Sequence, residues 1–337
     1  MKTKRLTSII LALVLFFTSF STMPTSAAAK TKKTHIYISM TQSQIGKSSR
    51  AKVRNTYLEL NTKKAKNTCT YNPTAKYQLS LYDRRGKKTY FLADYKGNDN
   101  IYVRSRGKTR RLCNKFYSVN NIYQINNKLF LIAVKKNETA VSPFIYDIKN
   151  KKLTRLDKKS RNVNAAGFSS TSNEFFFSSF SYKEAQRISD EFNSASGDDR
   201  IMAIPGTVYS VNKKGKKEKL FTTAASVESI AGNKNYIIYT TVKYKGWYHN
   251  GLDDVKDIRE TFIYNRKTKN TQKIKNIKHK SNVENSDFIS LEGKNSLLFY
   301  ESGSKGSKII RYNIKTGKRK TLYSVKGYRI DNASLIK

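Results

Sequence analysis

The chain has 337 residues, and 66 Lys and Arg stand against 24 Asp and Glu, a formal net charge of +42. Such a charge draws polyanions and opposes the compact state by self-repulsion. Two Cys are too few for a disulfide scaffold, helix periodicity is almost absent, and 22 Tyr and 17 Phe suit strands packed face to face.

Residues 1–29 have the secretory pattern. Lys2, Lys4 and Arg5 precede an apolar run from Leu6 to Phe20, and Ser26-Ala27-Ala28-Ala29 offers small residues for cleavage. The run is too short and wrongly flanked for a stable anchor, and no later run is long enough to span a bilayer. The expectation is an exported chain without a transmembrane segment after cleavage, secreted or extracellular and associated with the cell wall, carrying a charge of about +39.

Residues 30–337 read as one domain of repeats. One sentence recurs from Tyr57, Tyr102, Tyr146, Tyr209, Tyr264 and Tyr312, the last reading YNIKTGKRKTL. Each is a strand, a tight turn of Asn, Gly, Thr and Lys, and a basic strand ending on an apolar residue, which is the hairpin signal. A second sentence precedes it, from Val119, Val163, Val227 and Val283, also strand, polar turn and apolar strand. Together they make a four-stranded antiparallel unit, strands a to d. The valines lie 44, 64 and 56 residues apart, near the ~40–50-residue period of a β-propeller blade. The competing reading is a β-sandwich with lysine-rich hairpins, but sandwiches rarely repeat one hairpin at a steady period.

The units fall at about 77–114, 115–158, 159–222, 223–276 and 279–324. Tyr57–Thr68 matches strands c and d of a first unit of about residues 35–70, in which His35–Met40 alternates like a strand, and Val325–Lys337 resembles the missing strands a and b. Pairing of the two chain ends in a shared blade gives six blades and leaves no open edge; five or seven follow if 35–56 is assigned differently.

The hydrophobic-Tyr-Asn/Asp-x-Lys-Thr-Gly-Lys pattern, with its basic run to a Leu, resembles the blades of TolB-like six-bladed β-propellers over most of the chain. The resemblance implies an all-β propeller of four-stranded blades. It implies no reaction, because such blades serve as binding platforms in many settings and as enzyme scaffolds in fewer.

Two units carry inserts between strands b and c. Residues 180–206 include a predicted helix from Tyr182 to Ser194, with Ala185, Ile188 and Phe192 on one face. Residues 245–260 include GWYHNGLDDVKDIRE. The inserts belong side by side on the face opposite the a–b and c–d turns. They hold nine of the 24 acids: Glu184, Asp190, Glu191, Asp198, Asp199, Asp253, Asp254, Asp257 and Glu260. The cations concentrate in the turns instead, so a basic face and rim should oppose a near-neutral or acidic face. The alternative is that turn lysines only block edge pairing and keep the chain soluble.

The candidate polyanion-binding residues are Lys151, Lys152, Lys213, Lys214, Lys216, Lys217, Lys318, Arg319 and Lys320. The candidate ligand site on the insert face is Trp247, Tyr248, His249, Asp253 and Asp254, since aromatics beside carboxylates stack on sugars. Cys69 and Cys113 are permitted to pair in an exported chain; two isolated thiols are the alternative. His35, His249 and His279 show no ligand spacing, and the acidic loops lack a Ca²⁺ pattern, so no metal or cofactor is expected. No G-x-S-x-G, H-E-x-x-H or P-loop is present. The basic turns fit nonspecific phosphate binding, but no nucleic-acid module is present and no specific nucleic-acid partner is expected. These readings favour a monomeric, non-enzymatic binding platform for an anionic envelope polymer or an extracellular protein or glycan. A polysaccharide-processing hydrolase or lyase, with its site on the insert face, is the alternative.

Overall fold

Tyr146, Tyr264 and Tyr312 each stand one residue before the end of a strand, and the next residues build the turn. The carboxylate of Asp147 accepts the Asn150 amide at 2.9 Å, and the Oδ1 atoms of Asn265 and Asn313 accept the Lys267 and Thr316 amides at 2.9 Å. These side chains replace missing ladder partners at the turn. For Tyr146 and Tyr264 the phenol reaches the preceding blade. Tyr146 Oη donates to the Leu112 carbonyl at 2.6 Å and Tyr264 Oη to the Leu220 carbonyl at 3.3 Å. The Tyr of one repeat and the Leu closing the previous basic run are therefore two halves of an interblade staple.

The computed structural model describes residues 35–46, 52–61, 68–70, 77, 79–194, 200–246, 248–249, 252–253, 255–275, 277 and 285–336. Residues 1–29, and the leader expected there, lie outside the described residues. Ile36–Lys337 forms one compact unit.

In chain order, the first blade contributes β1 (His35–Gln44), β2 (Val53–Asn61) and β3 (Thr68–Thr70). The second has β4 (Ser80–Asp83), β5 (Lys88–Asp94), β6 (Asp99–Ser105) and β7 (Lys108–Cys113). The third has β8 (Phe116–Ile125), β9 (Lys128–Lys135), β10 (Val141–Asp147) and β11 (Lys152–Arg155). The fourth has β12 (Arg161–Ser169), β13 (Glu174–Ser181), helix α1 (Tyr182–Ser194), β14 (Ile201–Met202), β15 (Gly206–Val211) and β16 (Lys217–Thr223). The fifth has β17 (Ser226–Gly232), β18 (Tyr236–Lys245), β19 (Tyr248–His249), β20 (Leu252–Asp253), β21 (Lys256–Asn265) and β22 (Thr271–Ile274). The sixth has β23 (Asn285–Glu292), β24 (Ser296–Gly303), β25 (Gly306–Asn313) and β26 (Arg319–Lys326), and the chain ends in β27 (Tyr328–Ile336).

Among the described residues these strands form six antiparallel blades. β27 lies against β1, with Tyr37 opposite Ile336 and Gln44 opposite Tyr328, so the first sheet has the order β27-β1-β2-β3. The expected a and b strands at the C-terminus are corrected here. The tail supplies strand a alone, Val325 belongs to β26, and β1 is strand b. Neighbouring blades touch where β27 meets β4, β4 meets β8, β10 meets β12, β12 meets β17, β17 meets β23, and β23 meets β27.

Apolar clusters fill the seams between blades 2 and 3, 3 and 4, 4 and 5, 5 and 6, and 6 and 1. Phe175 in the third-to-fourth seam is fully buried, with Phe130 and Tyr123 at ring-centroid distances of 5.4 and 5.6 Å. Truncating such a side chain to Ala costs about 3–5 kcal/mol. The seam between blades 1 and 2 is largely polar. Asn55 Nδ2 donates to Thr41 Oγ1 and the Tyr77 carbonyl, the Tyr77 amide returns a bond to Asn55 Oδ1 at 3.0 Å, and Ser39 Oγ accepts the Tyr82 amide at 3.1 Å.

Inner strands of five blades carry a β-bulge, at Asn120, Asn164, Glu228, Ile289 and Asp331. The bulge, rather than the valine, is the constant feature. In the sixth blade Phe288 takes the place of Val227, and Val283 lies outside the described residues. Helix α1 spans the predicted Tyr182–Ser194, buries Ala185 and Phe192, and is capped by Ser181 Oγ accepting the Glu184 amide at 3.4 Å.

Candidate functional site

The a–b and c–d turns emerge together. Within single blades the Ile148 amide bonds the Asn127 carbonyl at 2.8 Å, Arg266 bonds Asn235 at 2.9 Å, and Ile314 bonds Asn295 at 2.7 Å. At this end the inner strands of blades 1 to 4 surround a cavity of about 440 Å³.

Blade 2 supplies its cationic wall. Asp83 accepts the Gly86 amide at 2.9 Å, and a Cβ at Gly86 would lie 2.4 Å from Asp83 Oδ2, so any other residue here would push that carboxylate aside. The turn lays the Arg84 guanidinium over the Tyr37 ring, 3.9 Å from its centroid, and leaves Arg85 and Lys88 exposed at the cavity. Blade 3 supplies Tyr123, Gln124 and Asn126. Gln124 Nε2 donates to Asp83 Oδ2 at 3.2 Å and to Tyr90 Oη at 3.4 Å, tying the walls together. Blade 4 adds Phe168 and, from its c–d turn, Lys213; Lys128 Nζ holds that turn by donating to the Lys214 carbonyl at 3.1 Å. Blade 1 closes the ring with Ser334, Leu335 and Ile336. Burial, with Asp83 adding to it, pushes the Tyr90 phenol up to about 12, and burial raises Tyr123 further. Both remain neutral near pH 7.

The sequence-predicted polyanion residues fall into two groups. Lys151, Lys152, Lys213, Lys214, Lys216, Lys318 and Lys320 are exposed at turns or outer strands. Lys217 and Arg319 are engaged within the fold. Lys217 Nζ lies 3.2 Å from Asp157 Oδ1, beside Arg161, and Arg319 pairs with Glu301. Several cations stand at turn positions with φ near +50°, among them Lys87, Arg106 and Lys151. A side chain pays about 1 kcal/mol or more there, and glycine or asparagine would avoid it.

The two inserts meet as expected. β14 pairs with the end of β18, Ile201 opposite Lys245 and Met202 opposite Tyr244, and the Gly246 amide bonds the Arg200 carbonyl at 3.1 Å. The second insert is shorter than its sequence suggests, because 256–260 is strand within β21. Tyr248 and Asp253 face each other across the β19–β20 pair, as do His249 and Leu252. Their side chains, and Trp247 and Asp254 entirely, lie outside the described residues, as do Asp198 and Asp199. The described insert acids are engaged. Glu184 and Glu191 pair with Arg187, Asp257 with Arg259 at 2.8 Å, and Glu260 with Lys243 and Lys273, while Asp190 accepts from Gln186.

Cys113 is buried and free, and burial raises its thiol pKa. The backbone of Cys69 lies opposite Leu58, and its side chain is outside the described residues. Among the described residues no group of three His, Cys, Asp or Glu is placed to hold a metal, and no helix is long and apolar enough to cross a membrane.

Of the residues lining this cavity, the sequence reading named Lys213 alone among its candidate site residues and missed Tyr82, Arg85, Lys88, Tyr90, Tyr123 and Gln124. The signal within reach was the Asp-Arg-Arg-Gly turn, the one a–b turn as basic as the c–d turns.

The six blades, the bulged inner strands and the axial cavity define a six-bladed β-propeller of the TolB-like kind. The crystal structure of TolB from Acinetobacter baumannii is similar, with a TM-score of 0.52 and 10% sequence identity. The match covers 89% of this chain and 66% of that one, and at this identity the likeness is one of fold. No protein-family model and no curated protein sequence matches the chain.

Proposed function

We propose that this chain is an exported, non-enzymatic binding platform. Its turn face and rim associate with anionic polymers of the cell envelope, and its insert face holds a protein or glycan ligand. One observation carries the reading: exposed lysines and arginines crowd the turn end of the propeller, some at backbone positions where a side chain is strained. Salt-sensitive association through many weak contacts follows. The insert acids with described side chains are engaged by cations or amides, so no observation favours the hydrolase alternative.

Retention on purified, anionic cell wall tests the platform. The screening length falls from about 10 Å at 0.1 M salt to about 3 Å at 1 M, so retention should fall steeply across that range. Replacing Lys151, Lys152, Lys318 and Lys320 with Gln should weaken it further at low salt. Retention that ignores both changes would sink the reading.

A further inference from the structure

Three cations at the axial cavity stand out from the other turn cations. Arg85, Lys88 and Lys213 come from two blades, line one cavity and have no ion-pair partner among the described residues. The one carboxylate in the lining, Asp83, is occupied by the Gly86 amide and Gln124 Nε2. Like charges gathered without a counter-charge repel each other. A dianion relieves that repulsion and accepts charge-assisted hydrogen bonds from the Arg fork and the Lys point charges.

Behind the cations the cavity is lined by aromatic rings and amides, with Tyr90 and Tyr123 held as neutral phenols. A volume of about 440 Å³ lies in the range of small-ligand sites, roughly 300–1,000 Å³. It is too small for a folded domain or a duplex. Charge at the mouth with rings and amides within is the arrangement that recognises a charged head on a polyhydroxylated body.

We propose that this cavity is a saturable site for a phosphate ester of a polyol or sugar, whether a free small molecule or the end of a phosphodiester-linked polymer. The proposal rests on the reading of the turn face as an anion platform and adds a discrete subsite to it.

Titration of glycerol phosphate, followed by ³¹P NMR, tests the site, with glycerol and acetate as controls and a poly(glycerol phosphate) chain as the polymer arm. The expected result is saturable binding of glycerol phosphate and none of glycerol. Joint replacement of Arg85, Lys88 and Lys213 with Gln should weaken it about tenfold or more. All three are exposed, so an unchanged melting temperature shows that the fold is intact. The Lys151, Lys152, Lys318 and Lys320 variant should lose polymer retention while keeping glycerol phosphate affinity within about twofold. Tighter binding of the polymer than of the monoester, lost in the cavity variant, assigns the polymer end as the source. Equal affinities assign the free ester. Acetate binding as tight as glycerol phosphate overturns the phosphate assignment. Equal loss in the two variants overturns the discrete site and leaves diffuse charge alone. Wild-type affinity in the cavity variant overturns the location.

Discussion

Asp287 sits on the inner strand β23, accepting Ser229 Oγ at 2.6 Å and the Phe288 amide at 2.7 Å. Burial is the main influence on its carboxyl, and Glu228 adds to it; together they outweigh those two hydrogen bonds and push the pKa up from 3.8 to about 7. The folded chain thus holds a proton between about pH 4 and pH 7 that the unfolded chain has lost. The folded state carries no penalty from this group below that window. The penalty grows as pH rises through it and is complete above about pH 7. The side chain keeps some exposure, so the effect is about 2 kcal/mol rather than the ~4 of a fully dry site. Asp287→Asn should raise stability in urea by about that amount at pH 8 and leave it unchanged at pH 4. Parallel pH curves for the two proteins would show that the carboxyl titrates normally.

At the scale of elements, the polar seam between the first two blades is the place where the ring differs from itself. Asn55 is buried and completes both backbone groups of Tyr77. Asn55→Ala removes these bonds and strands buried polar groups, at a cost of about 1–3 kcal/mol. The loss should be local: hydrogen exchange should quicken in β1, β2 and β4 and stay slow in β9 and β24, whose seams are apolar. Exchange that rises evenly around the ring would mean that this seam does not open on its own.

For the whole molecule, closure depends on β27. A chain cut after Gly327 exposes the inner edge of β1 and the pockets that Ile330, Ala333 and Leu335 fill. Cooperative melting followed by near-ultraviolet circular dichroism should disappear, and a peptide of residues 328–337 added in trans should restore it. A truncated chain that melts as the intact one does would show that the other seams suffice.

The repeat was legible in the sequence because several blades meet the same two demands. A buried Tyr must reach the previous blade, and an Asn or Asp must satisfy the amides of the next turn, so the residues that answer these demands recur. The helix was legible for the same local reason, since Ala185 and Phe192 lie on one face of a short stretch. The valine register in the sixth blade misled because a bulge tolerates Phe288 where other blades place Val. The tail was read as two strands because its pattern continues from β26 without a break.

The sequence by itself determined the class of fold and the excess of turn cations, both properties of neighbouring residues. Tertiary structure alone decided which cations converge. Arg85 and Lys88 flank one a–b turn, but Lys213 stands far later in the chain, in a c–d turn, and joins them only because the fold brings turns of the second and fourth blades to one cavity. It also decided that Lys217 and Arg319 are engaged within the fold, because an ion pair depends on the partner that folding places beside it.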